Sequence, residues 1–370
     1  GKPLIVGGDA DSRGVVSTCS YEARRFGVHS AMPSAEARRL CPQAIWTHGH
    51  FNRYHEVSAQ VMAILADETP RVERVSIDEA FIDITPGRFA PEDPLLVAQR
   101  ISDRVAALGV TCSIGVGCNK TVAKIASERD KPFGLTIVRP GTEQRFLAAL
   151  PVSAMSGIGR SAEERLRRMR IYTLGELSRA PESTLASIFG VNGERMRQRA
   201  LGLEISEVTS LDEEREVKSV SNERTFAKDL TERQDIEAAI ALLGESVGRR
   251  LRRQGLTGAT VTLKLKYSYG SGRSAQCRLP HPTDDENIFV AVALELLDNI
   301  WQEGMHVRLA GIGMSDSDHQ GGIQTDLFCE VDDRGAQSSD RRDLSVAIDA
   351  VRDKFGDTAL SFGRQSRFND

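Results

Sequence analysis

Two adjacent carboxylates, Asp78 and Glu79, stand between apolar residues in the run VSIDEAFID, which spans residues 75–83. The alternation after them predicts a strand, so the pair is expected at a turn between two strands. Magnesium prefers oxygen ligands and usually takes one or two carboxylates together with substrate phosphates. Two-metal phosphoryl transfer needs such carboxylates at a rigid strand end. An Asp-Glu pair at a turn is more often solvated than catalytic, so the pair alone does not define a site.

The second candidate is the run TCSYEARRFGV, residues 18–28, in which Tyr21 and Arg24 stand three positions apart. Residues at this spacing share one face of a helix. A hydroxyl and a guanidinium on one face suit a phosphate chain, which arginine binds with a fork of N–H donors. The start of an ordinary amphipathic helix has the same spacing, so both interpretations are open at this point.

The third candidate is the run SIGVGCNKTVAKIAS, residues 113–127, in which a predicted strand ends in glycines. A helix predicted over Asn119–Arg129 carries Lys120 and Lys124 one turn apart, and Lys131 follows in the loop KPFG. Glycine lets a backbone or a phosphate approach closely. The run lacks the spacing GxxxxGK[ST] of a phosphate-binding Walker loop. The lysines suit phosphates, or they form the solvated face of the helix.

Composition describes a soluble globular protein, with 40% hydrophobic, 5% aromatic and 27% charged residues among 370. No apolar run approaches the roughly 18 residues of a membrane span, and the start is not that of a signal peptide. The six cysteines form no CxxC pair, which favours free thiols in a cytosolic protein. The net charge is −4. We expect a cytoplasmic protein that does not bind membranes.

Together, the three runs resemble the signature segments of Y-family translesion DNA polymerases, in particular the DinB type, in their order and approximate spacing. The resemblance covers residues 1–317. It implies an α+β multidomain fold, a right hand of palm, fingers and helical thumb with an additional α/β little finger domain. It also implies error-prone translesion synthesis in DNA repair and damage tolerance, in which two Mg²⁺ ions assist the addition of dNTPs to a primer 3′-OH.

The resemblance also assigns roles to single residues. Asp78 and Glu79 match the catalytic palm carboxylates that hold the metal ions. Residues that match the binding site for the incoming nucleotide come from the fingers and the palm, and the first of them falls where the family places a small residue over the nascent base pair. They are Ser17, Thr18, Tyr21, Arg24 and Lys131.

Two further regions point to DNA. The turn Gly157-Ile158-Gly159 resembles a helix-hairpin-helix motif, whose backbone amides bind a phosphate without reading sequence; a tight turn between packed helices is the alternative. From residue 218 to 280, 12 Lys/Arg face 6 Asp/Glu, which suggests a surface for a polyanion or a solvated face. The predicted DNA-binding residues are Gly157, Gly159, Arg249, Arg250, Arg252, Lys264, Lys266, Arg273 and Arg278.

The run QTDLF, residues 324–328, places two large apolar residues in a polar tail. It looks like the short peptide with which bacterial polymerases dock onto the sliding clamp (the beta clamp). The clamp-binding residues would be Gln324, Asp326, Leu327 and Phe328. Other implied partners are primer-template DNA and dNTP, and the protein is expected to be monomeric and associated with the bacterial nucleoid.

The expected domains follow the changes in pattern along the chain. Residues 206–218 are polar and charged, as in an exposed linker, and the polar tail is expected to be flexible with one short helix at Leu344–Phe355. The domains are the fingers at 1–50, the palm at 51–150, the thumb at 151–205, the linker at 206–218, the little finger at 219–317 and the tail at 318–370.

The family's first motif, a strand with another metal-binding aspartate followed by aromatic residues, is expected upstream of Gly1. As given, the chain is therefore expected to be impaired in catalysis, with a palm sheet that lacks a central strand. One alternative is a polymerase-like accessory protein that binds DNA and the clamp without catalysis. A nuclease that uses Asp78 and Glu79 is a second alternative, but it leaves the triphosphate residues unexplained.

Overall fold

The computed structural model describes residues 1–87, 92–211, 213, 216–268, 270–316, 318–319, 334–356 and 359–360. The chain divides into two compact units. The first unit combines Gly1–Gly49 with Arg215–Asp370, and the second unit is His50–Glu214. Within the described residues, no helix is both long and apolar enough to cross a membrane.

The strands of the described residues are three to twelve residues long, apart from the last, which has two. In chain order they are β1 (Leu4–Gly7), β2 (Val16–Cys19), β3 (Ile45–Thr47), β4 (Val72–Arg74), β5 (Ala80–Ile82), β6 (Ile114–Val116), β7 (Leu135–Ile137), β8 (Ser219–Leu230), β9 (Leu256–Tyr267), β10 (Gly272–Thr283), β11 (Val307–Ser315) and β12 (Asp318–His319).

The helices occur in both units. In chain order they are α1 (Tyr21–Arg24), α2 (Ser34–Leu40), α3 (Phe51–Glu68), α4 (Pro94–Ala107), α5 (Lys120–Arg129), α6 (Glu143–Ala148), α7 (Arg160–Arg168), α8 (Leu174–Arg179), α9 (Glu182–Phe189), α10 (Gly193–Leu201), α11 (Arg233–Arg253), α12 (Glu286–Ile300) and α13 (Arg334–Phe355).

The N-terminal part of the first unit is a small sheet in the order β2-β1-β3. Strand β1 pairs antiparallel with β2 and parallel with β3. Ile5 of β1 and Val16 of β2 pack with Ala23 of α1 in the local core. Helix α1 begins after Ser20, whose side chain accepts a hydrogen bond from the amide of Ala23, a normal N-cap.

The second unit begins with two helices and two small sheets. Strands β4 and β5 form an antiparallel hairpin, whereas β6 and β7 pair in parallel as a separate sheet. Ile64 of α3 and Ile101 of α4 bury their side chains in one core, against which Ile82 and Ile114 of the strands also pack. The hairpin is therefore supported from one side by a packed helix pair.

The rest of the second unit is helical from α6 to α10. Its core includes Leu147, Leu166, Leu174 and Leu185, which are fully or almost fully buried. A capping box between Thr173 and Glu176 fixes the start of α8, because each side chain satisfies a backbone N–H at the helix end. The thumb predicted at 151–205 falls mostly within this helical region.

The C-terminal part of the first unit is a sheet in the order β10-β9-β11-β8 with helices on one face. Val261, Leu263 and Leu265 of β9 share a buried core with residues of α11 and α12. Because side chains alternate along a strand, Lys264 and Lys266 lie on the opposite face of β9. The two lysines therefore share one strand face.

Helix α13 corrects the expectation of a flexible tail with a short helix at Leu344–Phe355, because this helix begins already at Arg334. Ion pairs tie it to the helical layer of the C-terminal sheet. Asp349 pairs with Arg252 at 2.7 Å, and Arg352 pairs with Glu245 of α11. The sequence pattern did not reveal this contact, since it rests on charge pairs between distant segments.

Candidate active site

Asp78 lies at the exposed turn of the β4–β5 hairpin. The amides of Val75 and Ser76 both donate hydrogen bonds to the carbonyl of Glu79, at 2.9 and 3.1 Å, which closes the turn. The hydroxyl of Ser76 donates to Oδ1 of Asp78 at 2.5 Å and accepts from the amide of Asp78 at 3.3 Å. The carboxylate of Asp78 is thus exposed to solvent but held in one orientation, as predicted for a carboxylate at a strand-to-strand turn.

Glu79 follows in a half-buried position, with a side chain that is 33% exposed. Its Oε2 is 2.9 Å from Nζ of Lys124 on helix α5. Lys124 is also 3.4 Å from Glu128, and Glu128 is 2.6 Å from Nζ of Lys131. We call these four side chains, Glu79, Lys124, Glu128 and Lys131, the charge chain. It connects the predicted metal-binding pair to the predicted phosphate-binding lysine.

The electrostatics of the charge chain favour the ionised forms of Lys124 and Glu128. Burial would lower the pKa of Lys124, but the hydrogen bond and charge of Glu79, with the charge of Glu128, outweigh it, and the pKa is raised. Burial likewise works to raise the pKa of Glu128, but Lys131 and Lys124 overcome it and lower that pKa. Ionised neighbours of opposite sign stabilise one another in this way.

Helix α5 is fixed in place by the residues that precede it. The side chain of Asn119 accepts a hydrogen bond from the amide of Val122 at 3.0 Å and so caps the helix. A Cβ atom on Gly115 of β6 would lie 2.0 Å from the carbonyl oxygen of Ala123. Only glycine permits this close approach of α5 to β6, and the approach sets the position from which Lys124 reaches Glu79.

Lys120, one turn before Lys124, has a different role. Its Nζ is 2.8 Å from Glu73 of β4 and donates to the carbonyl of Glu207 at 2.8 Å. It therefore holds the segment after the helical domain against the hairpin strand. Of the two interpretations left open for these lysines, the solvated face does not fit, because both side chains are largely buried in ion pairs, 21% exposed for Lys120 and 26% for Lys124.

The other predicted nucleotide-binding residues belong to the first unit. Ser17 and Thr18 are exposed on β2, and Tyr21 and Arg24 are exposed on α1. The guanidinium carbon of Arg24 lies 5.7 Å from the centre of the Tyr21 ring, which confirms that the two side chains share a helix face. Between them Ala23 turns into the core, so the polar face is directed to solvent.

The Gly157-Ile158-Gly159 turn leads into α7. Gly157 has a φ of +95°, a conformation that favours glycine, and Gly159 is the N-cap of the helix. Ile158 is buried, and Nη1 of Arg199 donates to the carbonyl of Ser156 at 2.7 Å. The turn is thus held against α10, with the N-terminus of α7 beside it, which fits both the predicted motif and a tight turn between packed helices.

The structure separates the basic residues that were predicted to bind DNA into two groups. Lys264 and Lys266 lie on the face of the C-terminal sheet opposite to α11 and α12, and Arg278, which is exposed, pairs in register with Thr260 on that same face. Arg273 pairs in register with Leu265 and so belongs to the helix side, at the exposed start of β10.

Arg249, Arg250 and Arg252 lie at the end of α11 in the helical layer and have partners within the protein. Arg252 is 7% exposed and pairs with Glu286 and Asp349. Arg249 is 2.7 Å from Asp353, and Arg250 donates to the carbonyl of Ser221 at 2.8 Å. Their contact with DNA stays a prediction, but this placement does not combine them with the strand lysines in one surface.

Two features of the site lie at the limits of the described residues. The predicted clamp-binding residues Gln324, Asp326, Leu327 and Phe328 are outside them. Among the residues that are described, no three or more His, Cys, Asp or Glu side chains cluster as a metal site. Asp78 and Glu79 offer two oxygen ligands, which fits the habit of Mg²⁺ to take one or two carboxylates and complete its shell with water and phosphate.

Two residues of the site had no role in the sequence analysis. Ser76 orients Asp78, and Glu128 joins Lys124 to Lys131. A serine two positions before an aspartate at a turn is a usable signal for the first. Glutamate four positions after lysine on a helix is the signal for the second, although it does not reveal the contact with Lys131.

Two family models match this chain. The impB/mucB/samB family matches residues 1–128, and the impB/mucB/samB family C-terminal domain matches residues 217–327. A solved Y-family DNA polymerase chimera of Dbh and Dpo4 has a TM-score of 0.74 and 25% sequence identity, over 85% of this chain and 92% of that one. The α+β architecture is therefore that of the Y-family DNA polymerases, as predicted.

Curated relatives are similar along most of their length. The DNA polymerase IV of Lactococcus lactis subsp. cremoris (strain MG1363) is 38% identical over 320 residues, 85% of this chain and 87% of the relative. That of Dehalococcoides mccartyi (strain CBDB1) is 35% identical over 377 residues, 100% of this chain and 92% of the relative. The chain belongs to the impB/mucB/samB family and is a DNA-directed DNA polymerase of translesion synthesis. The relatives do not favour the alternative of a non-catalytic accessory protein.

Proposed function

We propose that Asp78 and Glu79 are the catalytic carboxylates of this polymerase and hold its two Mg²⁺ ions together with the substrate phosphates. The observation that supports this most is the hydrogen bond of Ser76 to Asp78 on a closed hairpin turn. It fixes an exposed carboxylate, which a metal site requires. When bound, the two ions activate the primer 3′-OH and stabilise the leaving pyrophosphate.

The incoming dNTP is bound mainly through its phosphates. Lys131 is exposed in the loop after α5 and supplies a point charge for the phosphates, whereas Arg24 supplies a fork of donors. Tyr21 and Thr18 add hydroxyl groups, and the small side chain of Ser17 leaves space over the nascent base pair. Phosphoryl transfer asks mainly for such positioning and neutralisation of charge.

Primer-template DNA is held by its phosphate backbone. The open face of the C-terminal sheet carries Lys264 and Lys266 on β9, beside Gly311 and Gly313 of β11, which pair in register with Lys264 and Thr262. The side chain of Glu223 lies over Gly311, and its carboxylate is 2.7 Å from Nζ of Lys264. This ion pair must open before Lys264 binds a phosphate, whereas Lys266 is exposed. The turn at Gly157 and Gly159 contributes amides at a helix N-terminus. Contacts of this kind bind DNA without reading its sequence.

The remaining assignments come from the sequence. Gln324, Asp326, Leu327 and Phe328 dock the protein onto the sliding clamp, which keeps a monomeric polymerase on DNA. The domain boundaries are those expected from the sequence, from the fingers at 1–50 to the tail at 318–370. The protein acts at the nucleoid in the cytoplasm of a bacterial cell.

Template-directed capture of nucleotide tests the proposal. A dideoxy-terminated primer annealed to template is bound by the protein in Mg²⁺, and the affinity for each dNTP is measured by the stability of the ternary complex. Only the dNTP complementary to the template should bind tightly. Lys131→Met and Arg24→Met should each weaken its binding about tenfold, the loss of one charge-assisted phosphate contact. Arg25→Met, which removes the neighbouring exposed charge, is the control.

The proposal fails if the protein binds primer-template but captures no dNTP, or captures all four equally. It also fails if Arg25→Met weakens capture as much as the two site variants, because the effect would then be one of general charge. Arg25 is the C-cap of α1 and is exposed, so its replacement leaves the helix intact.

A further inference from the structure

Lys124 has no assigned role, although it lies between Glu79, assigned to metal binding, and Lys131, assigned to phosphate binding. Its Nζ lies 2.9 Å from Glu79 and 3.4 Å from Glu128, and only about a quarter of its side chain is exposed, 26%. Because α5 packs directly on β6 at Gly115, the helix holds the side chain of Lys124 close to Glu79. A cation is therefore built into the structure beside one of the two proposed metal ligands.

We propose that Lys124 is a positioning residue, the resident counter-cation of Glu79, which a metal ion must displace. This rests on the proposed function of Asp78 and Glu79. Before metal binds, the ammonium group neutralises Glu79 and holds its carboxylate toward α5. A divalent ion bound at Glu79 and the ammonium group of Lys124 repel each other, and the repulsion is strong in a half-buried site. The two cations therefore cannot both keep a close contact with the same carboxylate.

Glu128 is the group that receives the displaced lysine. It already lies within reach of Lys124, and the same carboxylate holds Lys131 at 2.6 Å. When Lys124 turns wholly to Glu128, the carboxylate is shared between two lysines and its hold on Lys131 weakens. Metal binding at Glu79 thereby frees Lys131 for the phosphates that arrive with the metal, which couples the two events by exchange of partners.

Binding of Mn²⁺ alone, without nucleotide, tests this inference on the whole chain and is measured by electron paramagnetic resonance. Lys124→Met should bind Mn²⁺ about tenfold more tightly, within the usual range of coupling between sites. Lys124→Arg keeps the charge and should stay within about twofold of the wild type. Glu128→Gln should weaken binding, because Lys124 then has Glu79 as its remaining partner in the charge chain.

Two controls separate the possible outcomes. Lys120→Met removes the same charge one turn away, where the partner is Glu73, and should leave Mn²⁺ affinity within about twofold if direct pairing is what matters. Asp78→Asn should weaken Mn²⁺ binding. If Asp78→Asn weakens it but Lys124→Met does not tighten it, the counter-cation role is overturned and the proposed metal site stands. If Asp78→Asn changes nothing, the metal site itself fails and the inference with it.

Thermal unfolding of each variant shows whether a change in affinity reflects loss of structure. If Lys124 had a purely structural role, Lys124→Met would lower both the unfolding temperature and the affinity for Mn²⁺. The counter-cation predicts the opposite combination, tighter metal binding with equal or lower stability in Lys124→Met. Parallel loss of both would therefore also contradict the inference.

Discussion

Ser76 has the most direct effect on Asp78 of any side chain near the hairpin turn. Its hydroxyl donates to the carboxylate and accepts from the amide of the same residue. A carboxylate that must bind metal gains from such a partner, because its orientation is then fixed before the metal arrives.

Replacement of Ser76 by alanine should weaken Mn²⁺ binding about tenfold, the lower end of the range for groups that orient a metal ligand. The fold should stay intact, since Ser76 is exposed. Ser187→Ala, which removes a hydroxyl that caps a carbonyl of Thr184 in α9, is the matched control. Equal affinity of Ser76→Ala and the wild type for Mn²⁺ would show that Asp78 needs no orienting group.

At the scale of residues, the sequence was informative where a short run carries the chemistry. The turn position of Asp78 and Glu79 and the shared helix face of Tyr21 and Arg24 followed from their local spacing. The contact of Glu79 with Lys124 did not, because it joins two segments that come together only in the folded chain. The sequence also does not show which side chains are exposed to solvent. Arg252 was therefore grouped with Lys264, although it is buried in ion pairs.

At the scale of elements, helix α5 is the part of the fold on which the charge chain depends. It rests directly on β6, since Gly115 leaves room for the backbone of Ala123 and Ser127. Any side chain at Gly115 must push the helix away from the strand or distort both. The glycine-rich end of this strand, taken from the sequence as a possible phosphate loop, serves here to pack strand and helix.

Gly115→Ala should therefore destabilise the protein by about 3 kcal/mol, the upper part of the usual range for overpacking. Urea unfolding measures this loss. Gly159→Ala is the control, because a Cβ atom there meets no other heavy atom within 4 Å and the backbone φ of −81° is accessible to alanine. Equal stability of both variants would mean that α5 does not pack as closely on β6 as described.

The predictability of the elements followed their length. Helix α5 was predicted over Asn119–Arg129 and spans Lys120–Arg129, because the apolar residues of this run recur with the period of a helix. Strands β4, β6 and β7 have three residues each. An alternation of apolar and polar residues over three positions is too short to define where a strand begins and ends. Helix α13 was underestimated, since charged residues dominate it and its packing depends on partners in α11.

At the scale of the whole molecule, the C-terminal sheet has two different faces. One is covered by α11 and α12, and side chains of α13 form ion pairs with α11. The other carries Lys264 and Lys266 beside small residues of β11. We expect DNA on the second face, which would divide the basic segment of the sequence into a binding part and a structural part.

This division predicts different effects of charge on DNA affinity. Lys266→Met should reduce the slope of log affinity against log salt by about 0.9, the value for one lost phosphate contact. Arg253→Met removes an exposed charge on the helical side, where the arginine pairs with Asp353, and should leave the slope unchanged. Filter binding or anisotropy over a range of salt concentrations measures both. A reversed order of the two effects would place the DNA on the helical face.

The central claim is that Asp78 and Glu79 form the metal site of a polymerase, and the Mg²⁺ dependence of dNTP capture tests it most directly. Capture of the complementary dNTP on a dideoxy-terminated primer is measured against Mg²⁺ concentration for the wild type and for Asp78→Asn. The account predicts that Asp78→Asn needs about tenfold more Mg²⁺ for half-maximal capture, while binary DNA binding is unchanged. Identical Mg²⁺ dependence in the two proteins would contradict the account.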